Sequence, residues 1–240
     1  MKTILVPCIR YVLITMFFFF LYGCSHDSDK PPADGNDIWD LDRKAPPHFV
    51  TQNYIEIDKI ARISKFRSGV GHDYSDFSEH CRSMKHYFEP LPEVDWTSVK
   101  IYSPVTGIIT RVEQEWSGTK IEIESSEYPA FRFSVFHITP SAQWTINQEI
   151  TEGTQLGTHV GTQTYSDVSV IVNDITKQGR MISWFDVITD GLFAAYQAAG
   201  ISSRESMIIP KEERDQHPLT CNGDTFVGTD SLDAWVYLTH

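Results

Sequence analysis

Basic residues are scarce in this chain: 20 Lys and Arg stand against 32 Asp and Glu, a formal net charge of −12. Charge of that sign repels nucleic-acid phosphates and anionic lipid head groups, so no nucleic-acid partner is expected. Long apolar runs are missing as well. The uncharged stretch after Arg10 falls short of the roughly 20 residues that a bilayer-spanning helix needs. No G-x-S-x-G nucleophile elbow and no phosphate-cradling glycine loop occurs, which removes the common hydrolase and nucleotide-binding signatures. Cysteine is rare, limited to Cys8, Cys24, Cys81 and Cys221.

What is present at the start is a basic segment with Lys2 and Arg10, a short apolar run through Phe17 to Leu21, and the ending Leu21-Tyr22-Gly23-Cys24. Basic and short apolar regions in that order define a secretory signal peptide. The ending resembles the lipobox of bacterial lipoproteins. This resemblance implies cleavage after Gly23, acylation of Cys24 and a lipid anchor in the cell membrane or outer membrane, facing the periplasm or exterior. More than one acyl chain gives stable anchoring without spanning. Ser25 after Cys24 supplies no inner-membrane retention signal of the Asp type, which favours the outer membrane where there is one. A plain N-terminal membrane anchor with an incidental cysteine is the other reading. In an exported compartment Cys81 and Cys221 are the remaining thiols and are expected to pair; two buried free thiols are the alternative.

Four segments are expected: a signal peptide (1–23), a lipidated flexible tether (24–47), a β domain (48–200) and a C-terminal extension packed on it (201–240). The tether is rich in Asp, Pro, Gly and Lys and has little to bury, although Trp39 and Leu41 are candidates for local docking. Alternating and β-branched runs predict strands beginning near Asn53 and at 100–102, 107–113, 119–124, 131–138 and 168–172. Helices are predicted over 77–87 and 185–199, the latter ending before Gly200. The fold class is therefore mainly β with one or two peripheral helices.

Candidate chemistry starts at Phe66-Arg67-Ser68-Gly69-Val70-Gly71-His72-Asp73-Tyr74-Ser75-Asp76, where His72 and Asp76 form an H-x-x-x-D pair of zinc-ligand type. Downstream come Ile101-Tyr102-Ser103-Pro104-Val105-Thr106-Gly107, Gly118-Thr119-Lys120-Ile121, Phe131 to Pro140 with Val135-Phe136-His137-Ile138, and Ile150-Thr151-Glu152-Gly153-Thr154-Gln155-Leu156-Gly157. Taken in order, these resemble the lysostaphin-type zinc endopeptidases of peptidoglycan over about residues 72–172. The resemblance implies a β-sheet or barrel-sandwich core, zinc ligands at His72 and Asp76, and His137 as catalytic acid/base. The family's closing H-x-H is replaced: the sequence reads Ser166-Asp167-Val168-Ser169-Val170, and strand alternation sends Asp167 and Ser169 to one face. Asp167 and His159 are the candidates for a substituted third ligand.

A catalytic zinc needs three protein ligands and an open position. The expectation is therefore a degenerate member of the family with no cofactor, acting as a binding or regulatory module on peptidoglycan or a wall hydrolase. The alternative is an active zinc endopeptidase with a substituted third ligand. His80, Cys81 and His86 form a second conceivable metal cluster, against which stands the expected disulfide. The Pro104–Gly107 turn also resembles biotinyl and lipoyl carriers, but Met84-Lys85 lies ahead of the strands instead of at a hairpin tip. Trp116 and Tyr128 sit in turn-like contexts suited to lining a groove.

Overall fold

Strand alternation in the middle of the chain builds a single antiparallel sheet, seen in a computed structural model that describes residues 37–161, 163–175 and 178–240. The signal peptide, Cys24 and residues 25–36 of the tether lie outside the described residues. The strands are β1 (Ile60–Ser64), β2 (His86–Pro90), β3 (Lys100–Tyr102), β4 (Gly107–Glu115), β5 (Gly118–Ser125), β6 (Phe131–Pro140), β7 (Glu149–Ile150), β8 (Gln155–His159), β9 (Ser166–Asn173) and β10 (Gly179–Ile182). They are followed by α1 (Asp190–Ala198), α2 (Lys211–Gln216), β11 (Thr220–Asn222), β12 (Thr225–Val227) and β13 (Trp235–Tyr237). The main sheet runs β13-β1-β2-β9-β6-β5-β4-β7, with β10 on β9 and the β8–β3 pair joined to β6. The protein is mainly β with two helices, in line with the sequence expectation.

Period-2 patterning decides which face is core. Ile121, Ile123, Phe131, Phe133, Val135, Val168, Val170 and Val172 all point inward and are fully buried or nearly so, packed with Tyr54, Trp184, Phe185 and Tyr196. Burial of large side chains such as these stabilises by about 1.5–3 kcal/mol each before entropy is counted. The opposite face of β9 carries Asp167 and Ser169, both buried.

The helix predicted over 77–87 does not form. Cys81 sits at φ +55°, Ser83 bridges both Ser68 and Tyr74, and β2 begins at His86. A disulfide joins Cys81 to Cys221, settling the pairing and removing Cys81 from any metal cluster with His80 and His86. His86 is buried, its ring nitrogens 2.7 Å from Ser64 O and 2.8 Å from Ser183 Oγ. The second helix is shorter than predicted. Ser183 and Asp186 form a capping box on a 3-10 turn, and Thr189 then caps α1 afresh through the Leu192 N–H, so the chain turns twice where periodicity suggested one helix.

Trp39 is buried against Tyr128 and Phe131, and its backbone N–H donates to Asn173 O. The described part of the expected tether thus packs on the domain, because one large aromatic finds a place in the core. Tyr128 packs there too instead of lining a groove. Beyond α1, the C-terminal segment supplies α2, the β11–β12 hairpin and β13, an edge strand on β1. No helix among the described residues is long and apolar enough to cross a membrane.

Candidate functional site

Between β5 and β6 the pairing slips. Thr119 faces Ile138 but Ile121 faces Val135, so β6 carries one extra residue at Phe136-His137. An extra residue of this kind re-aims side chains. Here His137 adopts φ +59°, a left-handed conformation uncommon outside glycine. Simple alternation from Phe133 and Val135 would bury His137 in the core. The bulge instead sends both Phe136 and His137 to the cleft and returns Ile138 to the core.

The β4–β5 hairpin closes over that bulge. Trp116 and Ser117 form its two-residue tip, and Gly118 follows at φ +109°. A Cβ on Gly118 would stand 2.3 Å from Val160 Cγ1 and 3.1 Å from the His137 carbonyl carbon, so only glycine lets the tip approach this closely. Ser117 Oγ consequently lies 2.8 Å from His137 Nδ1, and Ser117 O lies 3.1 Å from the same nitrogen.

On the other side of the ring, His137 Nε2 stands 3.1 Å from Asp167 Oδ1, an ion-pair contact that is out of line for a well-formed hydrogen bond. Asp167 Oδ2 accepts from Lys85 Nζ at 2.7 Å. Both are buried, Lys85 2 % exposed and Asp167 not at all. The ammonium lies 4.0 Å from the Tyr74 ring centre and 3.8 Å from that of Phe136, so two aromatic faces complete its surroundings. Burial works against the Asp167 charge, but Lys85 and then His137 outweigh it and hold the carboxyl down at about 2. His137 is pulled down by burial and pushed up more strongly by Asp167 and the Ser117 carbonyl, so its pKa is raised. His159, its ring tilted against that of Trp96 with centroids 4.2 Å apart, is lowered to about 4 chiefly by burial.

Of these groups Lys85, Ser117 and His137 line a cleft of about 900 Å³ whose walls also include His72, Tyr74, Tyr87, Glu113, Lys120 and Tyr165, with Asp167 and His159 buried behind them. Trp116 stands on its rim, 83 % exposed.

The expected zinc pair is not brought together. His72 lines the cleft, with Nδ1 2.9 Å from Asp73 O. Asp76 lines a separate cavity of about 260 Å³, where it accepts from the Met181 and Ser78 backbone N–H groups and pins β10. The H-x-x-x-D spacing does not unite the two because residues 72–76 are an extended loop. Of the candidate third ligands, Asp167 is engaged by an ammonium and His159 Nδ1 accepts from the Gly161 N–H at 3.1 Å. Among the described residues no group of three or more His, Cys, Asp or Glu could hold a metal ion. The donor set does not fit zinc: the Lys85 ammonium already donates a hydrogen bond to the one carboxylate beside His137.

Lys85 and Ser117 are the residues that sequence reasoning missed. Lys85 was absorbed into a predicted helix, and alternation through Ser83-Met84-Lys85-His86-Tyr87-Phe88 was the available signal for a strand. The tight Trp116-Ser117-Gly118 turn marked the hairpin tip but gave no sign of its distance to His137.

Fold and site together define a mainly β protein with an antiparallel sheet and a cleft centred on a Lys-Asp-His cluster. No protein-family model and no curated protein sequence matches the chain. Solved structures align with part of the chain. Pseudoalterin, described as an M23 metalloprotease from the deep sea, is 17 % identical, with 58 % of this chain and 74 % of that one aligned and a TM-score of 0.35. The catalytic domain of lysostaphin from Staphylococcus simulans is 12 % identical over 48 % of this chain and 94 % of its own, TM-score 0.32. A zinc-containing peptidase from Vibrio cholerae is 13 % identical over 57 % and 39 %, TM-score 0.33. The chain spans less than half the length of that last structure and 43 % of a LytM protein from Ruminococcus gnavus.

Proposed function

We propose that this protein is a lipid-anchored envelope protein whose domain engages the cell wall by binding, as a regulatory or docking module, without zinc-dependent peptidase action. The observation that carries the reading is the buried Lys85–Asp167 pair. A hydrolytic zinc needs a free carboxylate or imidazole set and an open water position, whereas here the carboxylate next to His137 is neutralised internally. The ordered strands and turn glycines that resemble the lysostaphin-type endopeptidases support peptidoglycan as the ligand class. The size of the cleft and the exposed Trp116 at its rim suit a sugar- or peptide-bearing polymer, since an aromatic face adds affinity without a charge. The lipobox-like ending at Cys24 supports a membrane-surface location.

The test is a sedimentation assay of the purified full chain with peptidoglycan sacculi. Trp116→Ala is expected to lower bound protein several-fold with the fold unchanged. Binding unaffected by Trp116→Ala and by crowding residues at the cleft mouth would sink the proposal, as would release of wall peptides that stops when a chelator is added.

A further inference from the structure

Ser117 and Asp167 stand beside opposite nitrogens of the His137 ring, and this arrangement has no part in the wall-binding reading. We infer that they form a metal-independent acyl-transfer centre in which Ser117 Oγ is the nucleophile, His137 the general base and Asp167 a positioning residue, acting on a carboxylic ester that enters the cleft.

Tautomer logic supports it. The Asp167 carboxylate 3.1 Å from Nε2 favours, by its charge and not through an aligned hydrogen bond, the tautomer of neutral His137 that carries its hydrogen there. Nδ1 is then a lone pair, and the hydroxyl 2.8 Å from it donates: Ser117 Oγ–H points at a base. Once Nδ1 has taken that proton it becomes a donor, and Ser117 O at 3.1 Å is an acceptor already in place for it. Lys85, bonded to the second oxygen of Asp167 and held between Tyr74 and Phe136, fixes the carboxylate as Asp167 fixes the ring.

The geometry is built, not incidental to a regular sheet. It requires the β6 bulge, a histidine held at φ +59° and a glycine whose missing Cβ admits the hairpin tip. Strained backbone of this type persists where surrounding structure over-determines it, and it clusters at functional sites. Ser117 is 6 % exposed, and what it exposes faces the cleft.

In the reaction, Ser117 Oγ forms a bond to the ester carbonyl carbon as the Oγ–H proton moves to His137 Nδ1 and the carbonyl π pair moves onto oxygen. The tetrahedral species collapses, the C–O bond to the alcohol breaks, and the departing alkoxide takes the proton from Nδ1. Water then attacks the acyl-serine, giving its proton to the same nitrogen, and the free acid and Ser117 Oγ–H are restored. An ester is the substrate class because its leaving group needs little more than this single proton donor. Lys120, whose ammonium pairs with Glu113 at 2.7 Å, and His72 stand on the same cleft walls.

The test uses the purified full chain and a biotinylated fluorophosphonate, which reacts with activated serines. Peptide mapping of the unaltered protein is expected to place the adduct on Ser117, within residues 112–120 released by trypsin at Arg111 and Lys120. His137→Gln, with its fold verified by circular dichroism, is expected to slow labelling by about 100-fold or more. Labelling should rise with pH as His137 loses its proton, and Asp167→Asn should move the midpoint of that curve downward, an effect that mere loss of packing would not produce. The groups facing His137 that set this midpoint are Asp167, Lys85, His159 and Ser117. An adduct absent from Ser117, or a labelling rate unchanged in His137→Gln, overturns the inference. Neither zinc content nor sacculus binding enters this readout, so its failure leaves the wall-binding reading intact.

Discussion

Lys85 and Asp167 are two charges withdrawn almost wholly from water, and such a pair is costly to build and costlier to halve. Lys85→Met leaves the Asp167 carboxylate buried with only His137 near it, and should lower unfolding free energy by about 3–5 kcal/mol in urea titrations. Adding Asp167→Leu to Lys85→Met should recover much of that loss, since two apolar side chains have no uncompensated charge. Equal destabilisation in the single and double variants would mean that packing, not charge, dominates at this position. The Asp167 shift also sets a pH window. Its folded pKa, about 2, lies below the ordinary carboxylate value, so the stability it contributes is complete above about 4 and is lost as pH falls toward 2.

The β4–β5 hairpin and the β6 bulge work as one device, and Gly118 is where they meet. Gly118→Ala would press a methyl onto Val160 and impose φ +109° on an L side chain. A destabilisation of about 1–3 kcal/mol is expected, together with separation of Ser117 from His137 that shows as lost fluorophosphonate labelling. Retained labelling in Gly118→Ala would argue that the hairpin tip has slack. The disulfide is a second device at this scale. It spans 140 residues and ties the β11–β12 hairpin to the loop before β2. Cys221→Ala should cost about 3–5 kcal/mol and make the C-terminal segment the first site of proteolytic cleavage.

Strands β3 to β6 and β9 were legible in the sequence because period-2 alternation there coincides with burial on one face. The loop 72–85 was not. Its conformation is set by the disulfide, by the Glu79 carboxylate gripped by Arg67 and Arg82, and by bridges to Ser68 and Tyr74, none of which has a local pattern. The candidate site divides the same way. His137 was found through the family resemblance and Asp167 through the place of the family's closing H-x-H, although a bulge, invisible to alternation, decides where His137 points. Lys85 and Ser117 reach the site through tertiary contacts, and His72 and Asp76 part company because spacing alone does not specify the path of an irregular loop.

For the whole molecule, acid stability depends on histidines held neutral inside it. His86 is lowered to about 4 by burial, only partly offset by the Ser64 carbonyl. The unfolded chain takes up this proton near pH 6.5 and the folded one not until about 4, so stability is lost as pH falls through that interval. Asp186, raised to about 6 by burial, and His137 run the other way. His86→Gln should therefore shrink the stability difference between pH 7 and pH 4 by on the order of 2–3 kcal/mol, measured as thermal midpoints at each pH. No shrinkage would mean that His86 is charged or solvated in the folded protein.

On the reading proposed above, the Lys85 ammonium stands where a metal would lie beside His137. It is tested by the zinc content of the purified full chain after equilibration with zinc and removal of excess, read by mass spectrometry of the element. The predicted result is far less than one equivalent, with no change on His137→Ala. One equivalent of zinc that is lost on His137→Ala or Asp167→Ala would contradict it.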